Sequence, residues 1–213
     1  MNATAVLPVK RFDAAKQRMA AGVDPERRRE LAAAMLADVL EAIGGARALE
    51  RLIVVTGDPV AQELAAEAGA EVVPDPEDAG HVAAALAGIA RAEVEGAERV
   101  VLLAGDCPLL DPRELDRLLT GVPGSYVGIV PDRHGTGTNA LLLSPPGAIV
   151  PAFGEGSRDL HVEAARQAGI PFGLEELPSI ELDLDTPGDV IALTRELAKE
   201  PKRARRTAKA LGI

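Results

Sequence analysis

The chain has 213 residues, a formal net charge of −10, 47% apolar residues and only 2% aromatic ones. That length suits one α/β domain able to bury a substantial core, and the scarcity of stacking surface argues against single-stranded nucleic-acid binding. A single cysteine excludes an intramolecular disulfide and fits a cytoplasmic protein, no apolar run approaches membrane-spanning length, and the first residues lead into a strand rather than a signal peptide.

Thr4 to Val9 reads as the first strand. The loop after it carries four cations, Lys10, Arg11, Lys16 and Arg18, and is placed to neutralise a triphosphate. Taken alone it reads equally as a solvated charge run; neither a Walker signature nor G-x-G-x-x-G is present. Asp24-Pro25 starts a helix, with cap and proline in the usual order, and Leu31, Met35, Val39 and Ile43 give it an apolar face down to Gly44-Gly45. Leu52 to Thr56 is a second strand, Asp58-Pro59 caps a helix ending at Gly69, and Ala70 to Val73 is a third strand. The proline-rich loop Pro74 to Gly80 then gives way to an alanine-rich helix from His81 to about Glu95.

Val100 to Ala104 is an unbroken apolar run, as expected of a strand buried on both faces of a parallel sheet. Gly105 allows a sharp turn, which leaves Asp106 at the carboxyl edge, where such sheets bind ligands. A carboxylate there can hold a divalent metal over a phosphate or can satisfy its own turn. Cys107, beside it, has no His or Asn partner in a recognisable motif and reads as small apolar filler. Asp111-Pro112 caps the next helix. Strand and helix have by then alternated four times, which predicts a parallel sheet wrapped by helices.

After Gly121 the pattern changes. Tyr126 to Val130 and Asn139 to Leu143 are separated by too short a loop for a crossover helix, which predicts an antiparallel pair at or near one edge. Phe153-Gly-Glu-Gly-Ser157 opens a helix near Arg158 to Ala168, and Phe172 to Leu174 is a short strand. Ile180 to Asp185 alternates like a strand, ending at a helix that starts near Pro187. Residues 199–213 hold six of the 23 Lys and Arg residues against one Glu. They read as a basic, solvated helix end beyond a single domain spanning 1–198.

Three carboxylates thus fall at expected strand ends, Asp106, Asp183 and Asp185. The last two share one face of an extended segment, and together the three suit Mg²⁺, which takes oxygen ligands and keeps positions for phosphate. Gly135-Thr-Gly-Thr138 and Gly154-Glu-Gly-Ser157 offer backbone N–H groups and hydroxyls, the second at a helix start that favours an anion. His134 and His161 border these loops and read as substrate contacts or as surface and capping residues; His81 reads as structural.

The segments Leu7-Pro-Val-Lys10 with Ala15-Lys16-Gln-Arg18, Ala104-Gly-Asp-Cys-Pro-Leu109, Gly135-Thr-Gly-Thr-Asn-Ala140, Phe153-Gly-Glu-Gly-Ser157 and Leu182-Asp-Leu-Asp-Thr-Pro187 occur in an order that resembles the guanylyltransferases of deazaflavin coenzyme F420 biosynthesis. The resemblance covers about residues 4 to 195. It implies a Rossmann-like three-layer α/β nucleotidyltransferase fold with a mostly parallel mixed sheet, and transfer of GMP from GTP to phosphoenolpyruvate or 2-phospho-L-lactate. It implies Mg²⁺ on Asp106, Asp183 and Asp185, and the acid substrate on Thr138, Gly154 and Ser157. Lys10, Arg11, Lys16 and Gly80 fall on the nucleotide side, with Lys10, Lys16 and Asp106 serving the chemistry. The chain departs from the family at Gly80-His81-Val82, where a Gly-Leu-Asn-like segment is usual and Val82 cannot hydrogen-bond a base through its side chain. The partners expected are GTP and a small phosphorylated acid, with no nucleic acid or membrane; monomer and homodimer both stay open. A nucleotidyltransferase for sugar phosphates or molybdopterin, a non-catalytic nucleotide-binding module and a glycosyltransferase using Asp183-Leu-Asp185 remain the alternatives.

Overall fold

The computed structural model describes residues 2–13, 24–75, 77–184, 186–200 and 202–213. Seven strands form one mixed sheet: β1 (Ala3–Val9), β2 (Arg51–Thr56), β3 (Glu71–Pro74), β4 (Arg99–Leu103), β5 (Tyr126–Pro131), β6 (Thr138–Ser144) and β7 (Phe172–Leu174). The helices are α1 (Pro25–Gly44), α2 (Pro59–Glu67), α3 (His81–Val94), α4 (Pro112–Leu119), α5 (Ser157–Ala168), α6 (Pro187–Lys199) and α7 (Arg205–Leu211). No helix among the described residues is long and apolar enough to cross a membrane.

The sheet order is β3-β2-β1-β4-β6-β5-β7. β1, β2, β3 and β4 run parallel, β6 is antiparallel to both β4 and β5, and β7 returns parallel to β5. The expected antiparallel pair is therefore β5 and β6, one strand in from the edge. Alternation along β1 shows why the strands carry so little polarity: Ala5 and Leu7 join the core on one face, Val6 the core on the other, and all three are inaccessible to solvent. A sheet covered on both faces needs apolar residues at every position.

Helix starts follow their sequence signals. The Asp58 carboxylate accepts from the Val60 and Ala61 N–H groups and so caps α2. Its other oxygen accepts from Phe12 N–H at 2.8 Å, which ties the loop after β1 to the start of α2. Asp111 caps α4 through Arg113 N–H. Helix α3 approaches β1 and β2 so closely that a Cβ on Gly88 would lie 2.3 Å from Val6 Cγ1. That contact sets the height of α3, and with it the position of His81 at its first turn.

Two expectations are corrected. The stretch 180–184 is not a strand: Pro178–Ile180 is a 3-10 turn and the next residues are irregular. Leu182 and Leu184 are buried, so the alternation reports one-sided burial rather than pairing. The carbonyls are taken by other partners: Ile180 O accepts from the Asn139 amide at 2.7 Å and from the Cys107 thiol at 3.4 Å, and Glu181 O accepts from Arg133 N–H. The basic C-terminal segment is not a frayed, solvated end either. Residues 205–211 form α7, which packs against α1 with Thr207 fully buried.

Candidate active site

The parallel strands β1 and β4 end side by side, so Lys10 and the Ala104–Cys107 turn emerge at one edge of the sheet. Because β6 runs the other way, its first residue, Thr138, reaches that same edge; Ala104 N–H donates to Asn139 O there. The resulting open cavity of about 750 Å³ is lined by Lys10, His81, Asp106, Thr138, Gly154, Ser157 and Asp183, among others. Gly80 lines a narrow crevice beside it, together with Asp75 and Asp78, and Lys10 and His81 border both spaces. Gly80 has φ +99°, a conformation that side-chain-bearing residues rarely adopt.

Of the residues singled out from the sequence, Lys10, Asp106, Asp183, Thr138, Gly154 and Ser157 thus meet in one place. Arg11 does not line this cavity; its guanidinium lies beside Gly57, after β2. Lys16 and Asp185 lie outside the described residues. Cys107 is 1% exposed, and its thiol donates to Ile180 O. It links the turn that presents Asp106 to the segment that presents Asp183, which is a tether rather than inert filler.

The two glycine loops differ from expectation. In the first, Thr136 N–H donates to the Asp132 carboxylate and Gly135 N–H to Asp132 O, so those amides are already occupied. In the second, the Ser157, Arg158 and Asp159 N–H groups donate to Gly154 O, Thr136 O and Gly156 O. The first turn of α5 is therefore internally satisfied. No hydrogen bond is formed by the N–H groups of Gly154, Glu155 and Gly156 among the described residues, and a Cβ on either glycine would meet open space. The run before the helix, rather than the helix end itself, offers free donors.

His81 and His161 are larger parts of the site than the sequence indicated. His81 lines the cavity, its ring edge-on to Phe153 at 4.7 Å between centroids. Burial, helped by the Lys10 charge, lowers its pKa, against an opposing pull from Asp106. His161 is 0% exposed; Nδ1 lies 3.0 Å from Thr138 Oγ1 and Nε2 accepts from Ala152 N–H at 2.9 Å. Beyond its place beside the second glycine loop, its sequence signal is the four-residue spacing from Ser157, which puts both on one face of α5.

Burial lowers the His161 pKa from its ordinary 6.5 to about 4. The unfolded chain therefore binds this proton more readily, and folding loses stability as pH falls from about 6.5 to about 4, by roughly 3 kcal/mol in all. Above pH 6.5 both states are neutral and the effect is absent. Urea unfolding at pH 7.5 and pH 5 should show about 2 kcal/mol of this loss in the native chain and a smaller one in His161→Gln. Equal losses in both would place the proton elsewhere.

Asp106, Asp132, Glu155 and Asp183 all line the cavity, against Lys10 as the one Lys or Arg among the described lining residues. Among the described residues no group of three His, Cys, Asp or Glu side chains is gathered as a ready metal site. Half-buried Asp106 and Asp183 nevertheless face one space, and two carboxylates completed by phosphate oxygens make a donor set that fits a hard cation. A space this acidic admits a polyphosphate only with cations.

This arrangement, a cavity at the carboxyl edge of a mixed seven-stranded sheet, is that of the nucleotidyltransferases. Similar solved structures include a nucleotidyl transferase from Methanothermobacter thermautotroptrophicus (TM-score 0.68, 20% identity, covering 93% of this chain and 99% of that one). Another is CMP:2-keto-3-deoxy-manno-octonic acid synthetase complexed with CTP (TM-score 0.64, 15% identity, 94% and 100% covered). Within that class the chain belongs to the CofC-like guanylyl transferase family, whose model matches residues 3–213. Among its relatives, the phosphoenolpyruvate guanylyltransferase of Conexibacter woesei is 48% identical over 200 residues, 92% of this chain and 89% of the relative. That of Rubrobacter xylanophilus is 39% identical over 207 residues, 96% and 100% respectively.

Proposed function

We propose that the protein is a cytoplasmic guanylyltransferase that moves GMP from GTP to the phosphate of phosphoenolpyruvate, or of 2-phospho-L-lactate, in coenzyme F420 biosynthesis. The observation that carries this reading is the meeting of Lys10, Asp106 and Asp183 with Thr138, Gly154 and Ser157 around one cavity. Family membership and the names of the relatives support the choice of nucleotide and acid.

In this reaction a phosphate oxygen of the acid attacks the α-phosphorus of GTP, the bond to the bridging oxygen breaks, and pyrophosphate leaves. The attacking oxygen is already ionised at neutral pH, so the protein supplies alignment and charge rather than a base. Lys10 faces the polyphosphate from the end of β1. Asp106 and Asp183, with Asp185, would hold Mg²⁺, which when bound supplies neutralisation of phosphate charge. The Thr138 and Ser157 hydroxyls and the free amides of residues 154–156 take the carboxylate of the acid, away from the reacting phosphate. Gly80, beside the cavity, marks the candidate nucleotide side. Val82 offers no hydrogen bond from its side chain, so guanine is read by backbone groups or by other side chains.

GTP, CTP, UTP and ATP, each paired with phosphoenolpyruvate, 2-phospholactate or 3-phosphoglycerate and Mg²⁺, test this directly. Enzyme is used at substrate-like concentration so that a labile product is caught in one turnover. Pyrophosphate and a product of matching mass are expected with GTP and one of the first two acids. A preference for another nucleotide, or no pyrophosphate from any pair, overturns the reading.

A further inference from the structure

We propose that His161 is a positioning residue. It fixes the Thr138 and Ser157 hydroxyls so that the pair presents one proton to the cavity and therefore selects an acceptor oxygen, the substrate carboxylate. This rests on the reading above that the Thr138–Ser157 wall holds the acid.

The chain of donors can be followed atom by atom. Ala152 N–H lies 2.9 Å from His161 Nε2. A backbone amide donates and cannot accept, so Nε2 is the bare nitrogen of the ring. Burial keeps the imidazole neutral at ordinary pH, so its one proton sits on Nδ1. From there it is given to Thr138 Oγ1, 3.0 Å away. Thr138 Oγ1 is also 3.2 Å from Ser157 Oγ.

Two hydroxyls carry two protons, and one of these lies between them. With the imidazole donating rather than accepting, the second has no acceptor on the protein among the described residues. Thr138 and Ser157 both line the cavity, Thr138 half-buried and Ser157 1% exposed, so that proton is offered to its contents. The result is the same whichever hydroxyl gives it. If the ring proton moved to Nε2, it would face Ala152 N–H, Thr138 would donate to Nδ1, Ser157 to Thr138, and no hydroxyl proton would remain for a ligand. Phe153, edge-on to the His161 ring at 5.3 Å between centroids, packs against it and opposes a ring flip.

Two variants and one spectrum test this. His161→Gln keeps both an N–H donor for Thr138 and an oxygen acceptor for Ala152 N–H. His161→Phe keeps ring volume and neither hydrogen bond. The Phe variant is expected to raise KM for phosphoenolpyruvate about ten-fold or more, the loss of one hydrogen bond to a charged group, with KM for GTP within about two-fold. The Gln variant is expected within about three-fold of the native chain on both substrates. Equal losses in both variants, or a loss shared with GTP, would reduce His161 to a packing residue and overturn the proposal. Long-range ¹H–¹⁵N correlation on the native, unliganded protein reads the tautomer without turnover or variants. The Nδ1–H form is expected at neutral pH; the Nε2–H form overturns the proposal even if every variant misfolds. Absence of turnover with any acid would overturn the substrate assignment and, with it, the identity of the selected group, while the tautomer still decides the hydrogen-bond polarity.

Discussion

Asp106→Asn is expected to lower turnover at saturating GTP and acid by at least ~10²-fold, since it removes a charge that acts where phosphate charge is redistributed. The turn carrying Asp106 is braced from behind: Cys107 donates its thiol to Ile180 O, and Ala104 N–H donates to Asn139 O. The variant changes one oxygen to an amide without loosening those bonds. Folding should survive, because Asp106 shares its cavity with Asp132, Glu155 and Asp183, and removing one of several like charges relieves repulsion when no cation is bound. The expected result is thus an unchanged or slightly raised urea midpoint together with a collapse of pyrophosphate release. If turnover stays near normal at saturating Mg²⁺, Asp106 is a turn residue and the metal assignment fails.

How much of this site the sequence reveals depends on the range of the interactions that build it. β4 is legible because an unbroken apolar run has one physical meaning in a sheet covered on both faces. The starts of α2 and α4 are legible because an Asp-Pro pair acts within one helical turn. The segment from Ile180 to Leu184 is not, because alternation fixes only which side is buried. The hydrogen bonds that decide against a strand come from Asn139, Arg133 and Cys107, distant in sequence. The first glycine loop likewise looks open in sequence, yet Asp132 occupies two of its amides. His161 is legible as a neighbour of the second glycine loop, but its role is not, because its partners are Thr138 on β6 and an amide in the loop before α5.

The C-terminal segment misleads differently, and it carries the second large effect: deleting residues 202–213 is expected to cost about 3 kcal/mol of stability or more. Its cations draw attention, but Ala204, Thr207, Ala208 and Leu211 repeat at helical spacing, and they pack onto the core around α1. The counterpart signal is Asp38, a carboxylate among Met35, Leu36, Val39 and Leu40 on the buried face of α1 and only 6% exposed itself. A charge there needs partners, and α7 provides them. Thr207 donates from its N–H at 2.8 Å and its hydroxyl at 2.7 Å, and Arg206 donates from its N–H and guanidinium. Asp38 thus acts across space as the cap that α7 lacks in its own sequence, since the preceding residue is Ala204. Thr207→Val keeps the shape and removes one of these donors, and should cost about 1–3 kcal/mol, the range for an unpaired buried polar group. No residue of 202–213 lines the active-site cavity. Activity per folded molecule should therefore persist in both variants while the urea midpoint falls. A truncated chain that keeps the native midpoint would mean that α7 does not dock on Asp38 in solution. Lost turnover at full stability would instead assign the tail to the reaction.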